Sequence, residues 1–249
     1  MTAKARYEAH GANDMQSVEI GTENVQVSSA LRPACRLCGA PLAATFVDLG
    51  KSPLCESYVP EARLGDMEPF YPLHVYVCTQ CYLVQLPEHV RPENIFTEYA
   101  YFSSYSTSWL QHVQRYTEAM IQRFELTPES QVVEIASNDG YLLQYFVAKN
   151  VPALGIDPAQ NVAQAAIRKD VPTLVEFFGT QCARRLTDCR ADLLIANNVL
   201  AQVPDLNDFV EGLQILLKPD GVITIEVPHL VQLIEQNQFD TIYHEHFSY

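Results

Sequence analysis

From about residue 130 onward, short apolar runs alternate with stretches whose apolar positions recur at helical spacing. Segments 132–136, 153–156, 173–178, 192–196 and 222–227 read as strands, and 141–149, 161–169, 181–187, 206–217 and 230–236 read as helices. Short, mainly apolar strands separated by helices imply right-handed βαβ crossovers and a parallel, doubly wound α/β sheet of Rossmann-like kind. Ahead of this, Trp109, Val113, Tyr116, Met120 and Phe124 mark one amphipathic helix, closed by Thr127-Pro128. Between Cys35 and Phe96 the elements are short and punctuated by Pro and Gly, with strand pieces at 73–77 and 82–86. Residues 1–30 are polar, lack periodicity and read as a flexible tail. The expected organisation is therefore a tail, a small module of short strands over 31–98, and a larger α/β domain over 99–249.

Composition narrows the function classes. Apolar residues make up 48% and charged residues 18%, enough for a real core. The formal net charge of -14 disfavours a nucleic-acid surface, which needs a positive field. No apolar run reaches membrane-spanning length, and the N-terminus has no basic-then-apolar export pattern, so a cytoplasmic protein without membrane partners is expected. Seven cysteines in such a chain fit a metal better than disulfides.

Four of those cysteines form two knuckles, Cys35-x-x-Cys38 and Cys78-x-x-Cys81. A two-residue gap lets a tight turn aim both thiolates at one ion, and two turns complete a tetrahedron. With four protein ligands the zinc ion would be structural, and the long intervening stretch must fold back as a hairpin-like insertion. Cys55 is an alternative ligand or a buried thiol, while Cys182 and Cys189 read as ordinary helix and loop cysteines.

In open α/β sheets, ligands bind beyond the carboxyl ends of the strands, near the switch in strand order. The first strand runs through Glu134 into Ser137-Asn138-Asp139-Gly140, where a glycine permits close approach of a ligand to backbone. The second ends at Asp157-Pro158, where a carboxylate can accept from ribose hydroxyls; the third delivers Phe177 and Phe178 as cover for an adenine; the fourth supplies Asn197 and Asn198. The absence of G-x-G-x-x-G weakens a dinucleotide reading. The pattern leaves S-adenosylmethionine (SAM), another nucleotide-like ligand and a scaffold without a cofactor all open.

A set of motifs in order resolves the choice. The paired knuckles, Tyr99-Ala100-Tyr101-Phe102-Ser103-Ser104, Ser137-Asn138-Asp139-Gly140, Asn198-Val199-Leu200-Ala201-Gln202-Val203-Pro204-Asp205 and Tyr243-His244-Glu245-His246-Phe247 resemble the sugar C-methyltransferases of deoxysugar biosynthesis. The resemblance runs from about Cys35 to Tyr249. It implies an N-terminal zinc domain, a central SAM domain, and a C-terminal domain that helps bind a nucleotide-linked keto-sugar. It also implies deprotonation beside a ketone, followed by attack of the enolate carbon on the SAM methyl. By matching motif, His246 would be the base, Glu245 would orient it, and Tyr243 would donate to the oxyanion. Tyr101, or its neighbour Tyr99, would face the sugar. Two positions depart from the family pattern: Ala136 replaces a common glycine, and Gln202 a common histidine, so acid–base chemistry at 202 is not expected. The chain is also expected to stop short of two further strands and the sugar-binding domain, which makes it a truncated and weakly active product. Competing readings are a small-molecule O- or N-methyltransferase and a non-catalytic interaction module.

Overall fold

The computed structural model describes residues 33–249; the expected tail lies outside the described residues. Two sheets organise it. The smaller consists of β1 (Ala44–Ser52), β2 (Tyr71–Val77) and β3 (Val84–Gln85), antiparallel in that order. β1 and β2 pair from Ala44 opposite Val77 to Ser52 opposite Tyr71, with two register breaks along β1. The fold-back expected between the knuckles is thus a β1–β2 hairpin, followed by the short pairing of β3 on β2.

The larger sheet holds β4 (Val132–Ile135), β5 (Ala153–Ile156), β6 (Thr173–Leu174), β7 (Ala191–Asn197) and β8 (Leu217–Glu226), all parallel, in the order β6-β5-β4-β7-β8. Alternate residues feed opposite faces. Val132, Leu193 and Ile195 join one core cluster, while Val133, Ile135, Leu194 and Ala196 join the other. Both faces are covered over the central strands, which is why β4, β5 and β7 read as mainly apolar runs.

Seven helices lie among the described residues: α1 (Glu93–Phe96), α2 (Thr107–Arg123), α3 (Leu143–Val147), α4 (Gln160–Ile167), α5 (Thr180–Arg185), α6 (Leu206–Leu216) and α7 (Leu230–Glu235). α2 starts at Ser106, whose Oγ accepts from the Trp109 N–H at 3.2 Å, and α6 starts at Asp205, whose carboxylate accepts from the Asp208 N–H at 3.1 Å. α2 and α3 cover one face of the sheet, α5 and α6 the other. No helix among the described residues is long and apolar enough to cross a membrane.

One strand is shorter than its sequence pattern. The apolar run at 173–178 pairs only at Thr173 and Leu174, because β5, its sole neighbour, ends at Ile156 and is followed by Asp157-Pro158. Proline offers no N–H to a ladder. Phe177 and Phe178 therefore lie in the loop beyond the strand.

The last residues join the small sheet to the large one. Leu86 N–H donates to the Phe247 carbonyl at 3.0 Å and Tyr249 N–H to the Val84 carbonyl at 3.0 Å, so 247–249 run along β3. Leu73, Val75, Val84 and Leu86 share a core with Leu233 and Ile242. The Phe247 N–H also donates to the Ala201 carbonyl at 2.7 Å, fixing the Tyr243–His246 segment against the loop after β7.

Candidate active site and metal centre

The switch point of the sheet falls at β4, where the chain order runs to β5 on one side and β7 on the other. Beyond the strand ends there is a cavity of about 380 Å³. Of the positions expected to bind a cofactor, Asn138, Asp157, Pro158, Phe178, Asn197 and Asn198 line it. Glu134, Ser137 and Gly140 do not; they are buried in the β4 strand and turn behind it.

The β4 turn is tightly specified. Ala136 and Asn138 have φ of +57° and +49°, and Gly140 has +74°. Asparagine tolerates this region and glycine prefers it, whereas alanine is strained there by roughly 1 kcal/mol. Ala136 thus adopts the backbone conformation that explains a glycine at this position. The Gly155 position in β5 is equally constrained, since an added Cβ would lie 2.3 Å from the Ser137 Oγ.

Asp157 anchors the turn and the pocket together. Its carboxylate accepts from the Asn138 N–H at 2.8 Å and the Ala159 N–H at 2.9 Å. A carboxylate has about four lone-pair sites, so acceptor capacity remains for ribose hydroxyls. Burial pushes its pKa up to about 6 against the pull of those two N–H groups. Glu134 is buried with neither carboxylate oxygen partnered, and burial holds it well above the usual carboxylate range. The side chain of Asn138 clamps the aromatic-serine segment: Nδ2 donates to the Tyr101 carbonyl at 3.1 Å, and Oδ1 accepts from the Ser103 N–H at 3.0 Å. Lys169 adds a second clamp, donating to Ser104 Oγ at 2.7 Å while paired with Asp139 at 3.0 Å.

Among the described residues that line the cavity there is no lysine, arginine or histidine, but there are Glu93, Asp157, Glu176, Asp205 and Asp208. Such an acidic lining suits a ligand carrying positive charge. SAM, with a sulfonium, an ammonium, an adenine and a ribose diol, fits this donor set. Phe177 and Phe178 border the cavity, and Phe178 is braced edge-on by Phe209 at 5.4 Å between ring centres.

The four knuckle cysteines gather in one place. Their Sγ atoms lie within 4.8 Å of one another, with Cys35 and Cys81 at 3.5 Å and Cys38 and Cys78 at 3.6 Å. Tetrahedral zinc with Zn–S bonds of about 2.3 Å requires S···S separations of about 3.8 Å. The residues fit the ion. Cys55 is outside the group; its thiol donates to Glu245 Oε1 at 3.4 Å.

The Tyr243–His246 segment differs in detail from expectation. Thr241 offers His246 Nδ1 only a carbonyl oxygen, at 3.0 Å, so Nδ1 carries the proton and donates. Nε2 is then a bare lone pair, accepting from the Tyr243 hydroxyl at 3.1 Å. Glu245 does not meet His246. Its carboxylate accepts from the Tyr99 hydroxyl at 3.0 Å and from Cys55, although the two residues adjoin in sequence. The Tyr243 hydroxyl likewise points to His246 and not to an open oxyanion position. Tyr99, the neighbouring option, is the tyrosine held by Glu245, and it borders both the cofactor cavity and a second cavity of about 430 Å³. Tyr101 lines the first cavity alone and is 48% exposed. Neither Tyr243 nor His246 lines either cavity, and Gln202 lines the first.

Family likeness decides between the ligands that this geometry admits. A family described as a methyltransferase domain matches residues 109–249, and one described as a zinc-binding domain matches 35–96. The chain belongs to the methyltransferase family. It carries a methyltransferase domain with a zinc-binding domain ahead of it. The methyltransferase is 35% identical over 217 residues to C-methyltransferase NovU of Streptomyces niveus, an alignment covering 86% of this chain and 52% of that protein. It therefore spans about half the length of that relative. Solved structures to which it is similar include a SAM-dependent methyltransferase from Archaeoglobus fulgidus, at 16% identity and a TM-score of 0.44, covering 54% of this chain and 61% of that one. Another is from Clostridium acetobutylicum, at 13% identity and a TM-score of 0.42, covering 51% and 54%.

With Asp157 as the ribose ligand expected from the sequence, SAM binding would depend on pH. The carboxylate must be ionised to accept two hydroxyls while also holding two N–H groups, and burial raises its titration to about 6. Affinity is expected to be full above that pH and to weaken as pH falls through it. Asp157→Asn should cost at least about tenfold in affinity at pH 8, because hydrogen bonds to a charged group are worth roughly 1.5–3 kcal/mol, and should flatten the pH dependence. Titration calorimetry with SAM from pH 5 to 8 checks both; an unchanged affinity at pH 5 would contradict the role of Asp157.

Proposed function

We propose that the protein methylates a carbon next to the ketone of a nucleotide-linked keto-deoxysugar, through an enolate formed at the Tyr243–His246 pair, in the reducing cytoplasm where thiolate ligands persist. The observation that carries this reading is the pair of contacts that His246 makes, Nδ1 to the Thr241 carbonyl and Nε2 to the Tyr243 hydroxyl. With its Nδ1 proton committed to the Thr241 carbonyl, Nε2 is a proton acceptor by construction. Burial also lowers the basicity of the ring below its ordinary range, so the neutral, active form persists at neutral pH.

The residues divide the work as follows. The Tyr243 hydroxyl donates to Nε2. Tyr243 lines neither cavity, so the sugar carbon has to reach it past Tyr99 and Glu245 at the border of the second one, where its oxygen takes the carbon's proton while its own proton passes to Nε2. The C–H electron pair becomes the enolate and then forms the new bond to the SAM methyl, whose old bond to sulfur leaves its pair on the sulfur. Bound SAM supplies an electrophilic methyl. Tyr99, fixed by Glu245 and facing both cavities, orients the acceptor at the boundary between them. The second cavity is bordered by Ser57, Asn94, Asn161 and Tyr58, hydrogen-bonding groups suited to a hydroxylated ring. Among its described lining residues there is no cationic side chain to hold the diphosphate of the substrate. The relative named as a C-methyltransferase supports carbon as the acceptor atom. The zinc module over 31–98 then serves the domain over 99–249 as a scaffold for the substrate side.

The test is the chemical position of the methyl group. With a ¹³C-methyl SAM and a nucleotide-linked keto-deoxysugar, the expected product carries a carbon-bound methyl beside the ketone, identified by its NMR shift and couplings. A methyl on oxygen or nitrogen would overturn the proposal.

A further inference from the structure

The zinc knuckle holds a residue that the chemistry above does not use. Arg36 sits between Cys35 and Cys38, in a turn closed by Gly39 N–H donating to the Cys35 carbonyl and Cys35 N–H to the Ala40 carbonyl, both at 2.8 Å. Its side chain leaves the knuckle and enters the methyltransferase domain. Nη1 donates to the Pro204 carbonyl at 2.7 Å, Nη2 donates to the Leu86 carbonyl at 2.6 Å, and the guanidinium lies over the Phe247 ring at 5.1 Å from its centre.

Each contact is a point that shapes the site. Pro204 lines the cofactor cavity, two residues after Gln202. Leu86 and Ala201 are the two backbone anchors of Phe247, the residue after His246. On the zinc side, the Arg36 N–H donates to Gln85 Oε1 at 2.9 Å, and Gln85 Nε2 donates to Cys35 Sγ at 3.1 Å. The neighbouring knuckle carbonyl, Leu37, accepts from Asn207 Nδ2 at 3.1 Å, at the start of α6.

We propose that Arg36 is a positioning residue that couples occupancy of the four-cysteine site to SAM binding, by gripping the Pro204 wall of the cofactor cavity and the Phe247 anchor of the base. Two charge-assisted hydrogen bonds in a rigid planar fork transmit the position of the knuckle to both segments at once. Lysine carries the charge but cannot span two carbonyls and stack on a ring together. The coupling is reciprocal by thermodynamic necessity: what zinc does for SAM, SAM does for zinc. It does not depend on which acceptor the enzyme methylates.

The experiment is a cycle on the zinc-loaded protein. In the wild type, removing zinc with a chelator is expected to weaken SAM binding by about fivefold or more, the lower range of allosteric couplings, and saturating SAM should reduce by a similar factor the release of zinc at equilibrium to a competing chromophoric chelator. Arg36→Met should retain its zinc, bind SAM more weakly by a similar factor, and lose little further affinity when zinc is removed. Arg36→Lys should recover part of the affinity. Because a poorly folded Arg36→Met would blur the second arm, SAM protection of zinc in the wild type stands as an independent arm. Zinc release indifferent to SAM would overturn the proposal. So would an Arg36→Met protein whose SAM affinity falls on zinc removal as much as that of the wild type.

Discussion

Cys78→Ser is expected to abolish stoichiometric zinc binding and to unravel the small sheet. Cys78 is fully buried, its Sγ is 3.6 Å from that of Cys38, and it directly follows β2. A serine hydroxyl stays protonated at neutral pH and cannot replace a thiolate, so the remaining three ligands hold the ion poorly. Structural zinc contributes roughly 10–16 kcal/mol of apparent binding free energy, which in a small module is folding free energy. Only a modest core supports β1–β3 without it: Cys35, Leu42 and Cys78 around the knuckles, and Leu73, Val75, Val84 and Leu86 beneath the sheet. Elemental analysis should fall from about one zinc per chain to near none. Hydrogen exchange should rise across β2 and β3 and along 247–249, which hydrogen-bond to β3. The α/β sheet around β4 should keep its protection. A serine variant with full zinc and native exchange would remove the metal from the account.

The second large effect is expected at His246. Replacement by asparagine removes the group that accepts the proton and should slow proton abstraction by about 10²–10⁴-fold, the usual worth of a positioned general base. Tyr243→Phe should lose nearly as much, since its hydroxyl is the group that donates to Nε2. SAM affinity should be retained in both, because neither residue lines the cofactor cavity. The pH profile carries the sign. His246 works only when neutral and burial lowers its pKa, so activity should be flat at neutral pH and fall on the acid side with a midpoint below 6.5.

The sequence disclosed the parts of the fold whose physics is local. β4, β5 and β7 are buried on both faces and therefore predominantly apolar, and their ends locate Asp157, Asn197 and Asn198 at the cavity. β1 was not anticipated, because it is largely exposed and interrupted by two register breaks, leaving no period-two pattern. The end of β6 at Leu174 depends on where its neighbour stops, which no window over 173–178 contains. The cysteine cluster was legible because ligand spacing is a short-range property.

Side-chain partners across the fold were less accessible. Glu245 and His246 adjoin in sequence, yet Glu245 turns to Tyr99, 146 residues away, while His246 turns to Thr241 and Tyr243. Arg36 reads as an ordinary polar residue of a knuckle until the Pro204 carbonyl, 168 residues distant, is brought to it. A charged side chain between two zinc ligands that finds no nearby acid is the only signal the sequence holds.

The central claim is that a carbon acid is ionised before the methyl moves. The direct measurement is NMR of a nucleotide-linked keto-deoxysugar in deuterated buffer with the zinc-loaded protein and no SAM. The account predicts loss of the proton signal at the carbon beside the ketone with wild-type protein and its persistence with His246→Asn. Persistence of that proton with the wild type, under conditions where added SAM still yields methylated product, would contradict it.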